Sequence, residues 1–326
     1  MRELIVAIIT LIVGFIFLIK GADFFVDGSA SVAKRLRVPS IIIGMTVVAM
    51  GTSLPECAVS VTASITNNNS LAVSNAVGSN IFNLMVVCGI CALFTPLAVQ
   101  KDTLKRDLPF SIVVAVLLLV LGYFGKALGR LDGVILLAVF VVFLVIMVKS
   151  ALKARKEGES FETELEEEDE EIGEEVKILP IWKCVVFIVG GAIAIAIGGD
   201  AVVNGASVVA AQFGLSQTLI GLTIVSVGTS LPELVTSIVA ARKNEVDMAL
   251  GNVIGSNIFN ILFVLGIAAA ISPIQFITEN MIDIVLLIFM SLEVCFFAQS
   301  KKKLTRGEGI VMLLVYAVYM VYICRR

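Results

Sequence analysis

The stretch IIGMTVVAMGTSLPE, residues 42–56, returns as LIGLTIVSVGTSLPE, residues 219–233, and each copy sets a glutamate inside an otherwise apolar run. Sliding the chain against itself by 177 residues aligns 44–90 with 221–267 without a gap and gives 23 identities in 47 positions. A repeat of that length marks one structural unit used twice. At the same offset Asp23 pairs with Asp200 and Gly28 with Gly205, so the unit begins in the first apolar segment of each half.

Apolar residues make up 58% of the 326, in long runs with almost no charge, such as 71–99 and 111–121. Runs of that length belong in a bilayer. A bilayer core leaves backbone polar groups no water to bond to, so spans must be helices or a closed barrel, and continuous apolar runs exclude the barrel's alternation. The spacing predicts ten helical spans, at 3–20, 41–66, 71–99, 108–124, 131–148, 181–205, 217–241, 248–274, 281–298 and 309–323, with the first span of each half free to extend as an amphipathic tail. The expected organisation is a five-helix repeat at 1–149, an acidic linker at 150–176 and a second five-helix repeat at 177–326.

Loops after odd-numbered spans hold 18 basic residues and the opposite face five. Basic loops stay in the cytoplasm, so both termini are expected outside and the linker inside. Five spans per repeat make the second copy enter the membrane from the other side. The expected fold class is therefore an all-α integral membrane protein of ten transmembrane helices, two inverted five-helix repeats, in the cell membrane. Inverted repeats are a frequent plan of secondary transporters.

The linker holds 12 of the 27 acidic residues, between Glu157 and Glu175. Such a block is expected to stay solvated, and it lacks the spacing of an EF-hand loop. Six cysteines fall in or beside apolar spans and read as small hydrophobes. With no histidine in the chain and no nucleophile beside a base, an enzyme is not expected. The expected partners are the bilayer and small cations, with no nucleic acid, no obligatory protein partner and no cofactor.

An ionised carboxylate at mid-membrane is costly, so Glu56 and Glu233 mark a function. Spans 2, 3, 7 and 8 offer no Lys or Arg at that depth to neutralise them. Pro55 and Pro232 precede the glutamates, and a proline inside a helix leaves the carbonyl four residues back, at Gly51 or Gly228, without its donor. Spans 2 and 7 are therefore expected to be broken at mid-membrane, where unwound backbone can ligate ions. Ala49, Thr52, Ser53 and Glu56 share a helical face, as do Ser226, Thr229, Ser230 and Glu233.

In spans 3 and 8, SNAVGSNIFN at 74–83 matches GNVIGSNIFN at 251–260. Ser79, Asn83, Ser256 and Asn260 read as ligands. For Asn75, Asn80, Asn252 and Asn257, helix packing is an equal explanation. The whole inventory is oxygen, which suits hard cations such as calcium and sodium rather than soft metals. Two carboxylates can be neutralised by one calcium or by a few sodium ions or protons, and that competition suits exchange.

GTSLPE at 51–56 and 228–233, each followed by GSNIFN at 78–83 and 255–260, resembles the paired alpha repeats of the sodium/calcium exchanger family, closest to its short prokaryotic members. The resemblance covers nearly the whole chain outside the linker. It implies sodium/calcium antiport by alternating access, with spans 1 and 6 sliding as a pair and calcium normally extruded. It implies central ligands at Glu56, Glu233, Asn83 and Asn260. It places flanking sodium sites near Ala49, Thr52, Ser53 and Ser79, and near Ser226, Thr229, Ser230 and Ser256. Two departures stand out: Ser74 where relatives often have glycine, and Asn260 where some relatives carry aspartate. Proton/calcium exchange is the alternative for the same carboxylates, and a calcium-permeable channel a further one.

Overall fold

The structure, a computed structural model, describes residues 2–66, 69–165, 179–214 and 226–325. It is helical apart from four two-residue strands. The first repeat contains α1 (Arg2–Leu36), α2 (Ser40–Thr52) and α3 (Leu54–Ile65). Next come α4 (Leu71–Phe94), α5 (Thr103–Gly125) and α6 (Arg130–Leu165). The second contains α7 (Ile181–Gln212), the single turn α8 (Ser226–Gly228) and α9 (Leu231–Arg242). It ends with α10 (Val246–Ile271), α11 (Thr278–Lys301) and α12 (Arg306–Arg325).

Among the described residues, eight helices are long and apolar enough to cross a membrane, and the bent pair α2–α3 makes a ninth. The first part of the remaining expected span, 217–225, lies outside the described residues, and the rest of it is α8 and α9.

The first helix of each half extends beyond its apolar span, as the sequence allows. Both α1 and α7 run on past residues 20 and 205, to Leu36 and Gln212, because they pack against each other along their length. Glycines at heptad spacing make this possible. Gly14, Gly21 and Gly28 of α1 approach the α7 backbone, and Gly191, Gly198 and Gly205 approach that of α1. A Cβ on Gly198 would lie 2.6 Å from the Leu18 nitrogen. Likewise α6 does not stop at the expected linker but continues to Leu165, since Ala, Lys, Glu and Leu favour helix whatever their charge. The rest of the acidic block, 166–176, lies outside the described residues.

The core sits in α4 and α10, where 78% of the most apolar window is buried, against 11–44% for the other long helices. Polar small residues at the centre are thus wrapped by apolar helices whose outer faces, including Phe124 and Leu131, stay exposed for lipid. Cross-repeat clasps close the two ends. Strand β1 (Leu97–Ala98) pairs with β4 (Lys303–Leu304), and β2 (Ala127–Leu128) pairs with β3 (Ile274–Gln275). Lys34 meets Glu245 at 3.5 Å and Lys243 binds Asp27 at 2.7 Å, again across the repeats, whereas Arg106 reaches Ser150 at 2.6 Å between α5 and α6 of the first.

Candidate cation site

Ser53 ends α2 and begins α3, and the two segments meet at 49°. Both spans are interrupted, as expected, but the prolines lie after the breaks rather than at them. Each lies in the first turn of the helix after the break, where a missing N–H costs little, with Ser53 and Ser230 at the cap positions. Glu56 and Glu233 therefore sit in the first turns of α3 and α9, where helix dipoles favour negative charge. The sequence reading missed this compensation. Gly51 and Gly228 also serve as clearance: Phe25 of α1 lies against the first and Val203 of α7 against the second.

Both carboxylates are fully buried and close enough to repel each other. Neither forms an ion pair among the described residues. Instead each takes a hydroxyl from the opposite repeat. Ser53 donates to Glu233 at 2.7 Å, and Ser230 to Glu56 at 3.3 Å. Ser79 adds a bond to Glu56 at 3.4 Å and lies 2.9 Å from Ser230, whose single hydroxyl proton is shared between Ser79 and Glu56.

Asparagines build the next layer, again in matched pairs. Asn75 Nδ2 binds the Glu56 carbonyl at 3.3 Å and Ser60 at 3.1 Å; Asn252 Nδ2 binds the Glu233 carbonyl at 3.4 Å and Ser237 at 2.9 Å. Thr229 donates to Asn75 Oδ1 at 3.4 Å, and Thr52 to Asn252 Oδ1 at 3.1 Å. Asn80 Nδ2 binds the Asn257 carbonyl and Asn257 Nδ2 the Asn80 carbonyl, at 3.0 and 3.2 Å. Asn83 and Asn260 then donate to Asn257 Oδ1 and Asn80 Oδ1, at 3.3 and 3.1 Å. Ser60 and Ser237 were not singled out from the sequence, although they are identities in the 177-residue repeat.

Asn83 and Asn260 each open a π-helical turn, Asn83–Val87 and Asn260–Val264. Such turns cluster at functional sites because the extra residue redirects neighbouring side chains. The turn beginning at Asn83 packs on α9, which carries Glu233, and the turn beginning at Asn260 packs on α3, which carries Glu56. Glu56 Oε2, Glu233 Oε2, Asn83 Oδ1, Asn260 Oδ1 and Ser256 Oγ are buried with no hydrogen-bond partner. Each unmet buried acceptor costs about 1–3 kcal/mol, more when charged, so their concentration here calls for a ligand. Carboxylate, amide and hydroxyl oxygens suit a hard cation. No three His, Cys, Asp or Glu side chains cluster among the described residues, so neutral oxygens must complete any cation shell.

Of the other expected positions, Ala49 is buried, and its carbonyl accepts from Ser53 N and Thr52 Oγ1. Thr229 is half-buried, whereas its counterpart Thr52 is fully buried. The Ser226 side chain lies outside the described part. Thr229 lines a cavity of about 440 Å³ with Pro55, Gly199, Asp200, Val203 and Pro232. At the mirror position Phe25 fills the space beside Gly51. Ser74 accepts a bond from Asn280 at 3.3 Å, whereas its counterpart Gly251 lets α10 approach the Ile41 carbonyl.

A family model described as sodium/calcium exchanger protein matches residues 6–149 and 183–325, one stretch per repeat. The chain belongs to the sodium/calcium exchanger family. Among its relatives, the sodium/calcium exchanger MaX1 of Methanosarcina acetivorans is 31% identical, over 95% of this chain and 96% of that protein. The inner membrane protein YrbG of Escherichia coli is 40% identical, over 83% of this chain and 81% of its own. The solved structure of the sodium-calcium exchanger NCX_Mj superposes with a TM-score of 0.82 at 32% identity, covering 97% of this chain and 98% of that one. This is a family of membrane transporters whose members exchange ions rather than transform a substrate.

Proposed function

We propose that this exchanger moves sodium against calcium across the cell membrane by alternating access, normally extruding calcium. The observation that carries it is the set of partnerless buried oxygens on Glu56, Glu233, Asn83 and Asn260, inside a hydrogen-bond network repeated across the two halves. Those four residues are the central calcium ligands. Ala49, Thr52, Ser53, Ser79, Ser226, Thr229, Ser230 and Ser256 are the sodium ligands around them, with Ser79 and Ser230 together beside Glu56 and Ser53 beside Glu233. Calcium brings two charges to two carboxylates, and sodium must supply the same charge before calcium can leave.

The chain crosses the membrane ten times, as two inverted five-helix repeats with both termini outside. Support comes from the end clasps: β1–β4, Lys34–Glu245 and Arg106–Ser150 join connections that a ten-span order puts on the basic face, and β2–β3 joins two on the opposite face. In that frame the cavity beside Thr229 lies in the outer half, while Thr52, the counterpart of Thr229 in the inner half, is fully buried. Such an arrangement exposes the site to the outside.

The test is calcium-45 uptake into sodium-loaded proteoliposomes diluted in sodium-free medium, with sodium-free and pH-clamped vesicles as controls. Uptake that requires internal sodium is expected. Uptake driven by a proton gradient would instead assign Glu56 and Glu233 to proton binding, and flux needing neither gradient would make the protein a channel.

A further inference from the structure

An asparagine amide carries an oxygen and an NH₂ of similar size, and a half-turn about its last bond exchanges them. A cation site requires the oxygen. At Asn83 and Asn260, shape cannot choose between the two, so hydrogen bonding must. A main-chain carbonyl only accepts, and therefore the atom of Asn80 lying 3.0 Å from the Asn257 carbonyl is its NH₂. That turns the Asn80 oxygen toward the Asn260 side chain, 3.1 Å away. This oxygen also only accepts, so Asn260 must give it Nδ2, and the Asn260 oxygen is left buried without a partner.

The mirror chain runs from the Asn80 carbonyl through Asn257 to Asn83, over 3.2 and 3.3 Å, and leaves the Asn83 oxygen in the same condition. Both chains start at a main-chain carbonyl, which cannot flip. Each brace also crosses between repeats, so the two orientations are set together.

We propose that Asn80 and Asn257 are positioning residues, a crossed pair of braces that hold Asn83 and Asn260 with their oxygens presented to the cation and keep the centre free of N–H donors. This rests on the cation-exchange reading above. With neutral Asn260 in place of a carboxylate, the braces are what make its side chain a ligand. Unbraced, the Asn260 NH₂ could donate to a glutamate, a charge-assisted bond that outcompetes neutral ones. The binding-competent orientation then falls to about a tenth or less, and apparent affinity falls by the same factor.

The experiment is a double-mutant cycle on the purified full chain, read as equilibrium calcium-45 binding. Asn80→Leu, close in shape but without the brace, should weaken calcium binding about tenfold or more. Asn260→Asp presents an oxygen in either orientation, so adding Asn80→Leu to it should cost less than about twofold. An equal penalty in both backgrounds would overturn the proposal, because Asn80 would then only hold helices together. Wild-type affinity in Asn80→Leu would overturn it as well. Should Asn80→Leu fail to fold, Asn80→Ser or the mirror cycle of Asn257→Leu with Asn83→Asp carries the same comparison. Failure of the calcium reading looks different: the wild type itself binds no calcium-45, and sodium-22 binding then decides the braces on the same terms.

Discussion

Glu56 and Glu233 are fully buried without an ion-pair partner among the described residues, and several weak supports share the work of holding them there. Each lies in the first turn of a helix, which contributes about 0.3–1 kcal/mol, up to about 2 where partly buried. Each accepts one serine hydroxyl or two on one oxygen and keeps the other oxygen free. The arrangement tolerates charge without saturating it. Replacing Glu56 or Glu233 with Gln is therefore expected to cut sodium-driven calcium uptake at least tenfold while leaving the thermal midpoint unchanged or higher, since a buried charge is removed. Full retained uptake in either variant would sink the shared site. At this scale the buried glutamates and the pair Asn83 and Asn260, whose oxygens are left without partners, stand out in the sequence because their chemistry is unusual at that depth and occurs twice. The direction of each amide does not. It depends on bonds between residues 174 to 180 apart, and helical spacing speaks only of neighbours on one face.

Among the elements, the interruption of span 2 was legible and its cause was not. A proline four residues after a glycine reads as the cause of the break, yet the chain ends one helix at Ser53 and starts another with the proline harmlessly in its first turn. The π-helical turns at Asn83–Val87 and Asn260–Val264 leave no compositional trace, since both are runs of ordinary apolar residues after an asparagine. The pairing of α1 with α7 did leave one, in glycines at heptad spacing on both helices. Gly198→Leu should force the pair apart, because even a Cβ there would sit 2.8 Å from the Gly14 carbonyl oxygen. The expected cost is about 1–3 kcal/mol. Thermal unfolding in detergent should fall by about 2–4 °C for each kcal/mol, with loss of transport. Gly190→Ala is the control, since a Cβ there meets nothing within 4 Å, and an equal loss in that variant would refute the packing argument.

Across the whole molecule, the repeat made the architecture readable because most central hydrogen bonds recur at the 177-residue offset, as in Ser53–Glu233 beside Ser230–Glu56, although Ser79–Glu56 has no counterpart at Ser256. The asymmetry between halves was not readable from the repeat, since Thr229 is half-buried beside a cavity and its counterpart Thr52 is fully buried although both stand in the same GTSLPE motif. Orientation follows from charge alone, and one native residue tests it. Cys324 is exposed at the end of α12, whereas Cys88, Cys91, Cys184 and Cys295 are buried and Cys57 is half-buried. With both termini outside, a membrane-impermeant maleimide should label intact cells, and Cys324→Ser should remove that signal. Labelling of Cys324 only after permeabilisation would turn the molecule over. The cavity beside Thr229 would then face the cytoplasm, and the conformation proposed to load from outside would be the one that loads from within.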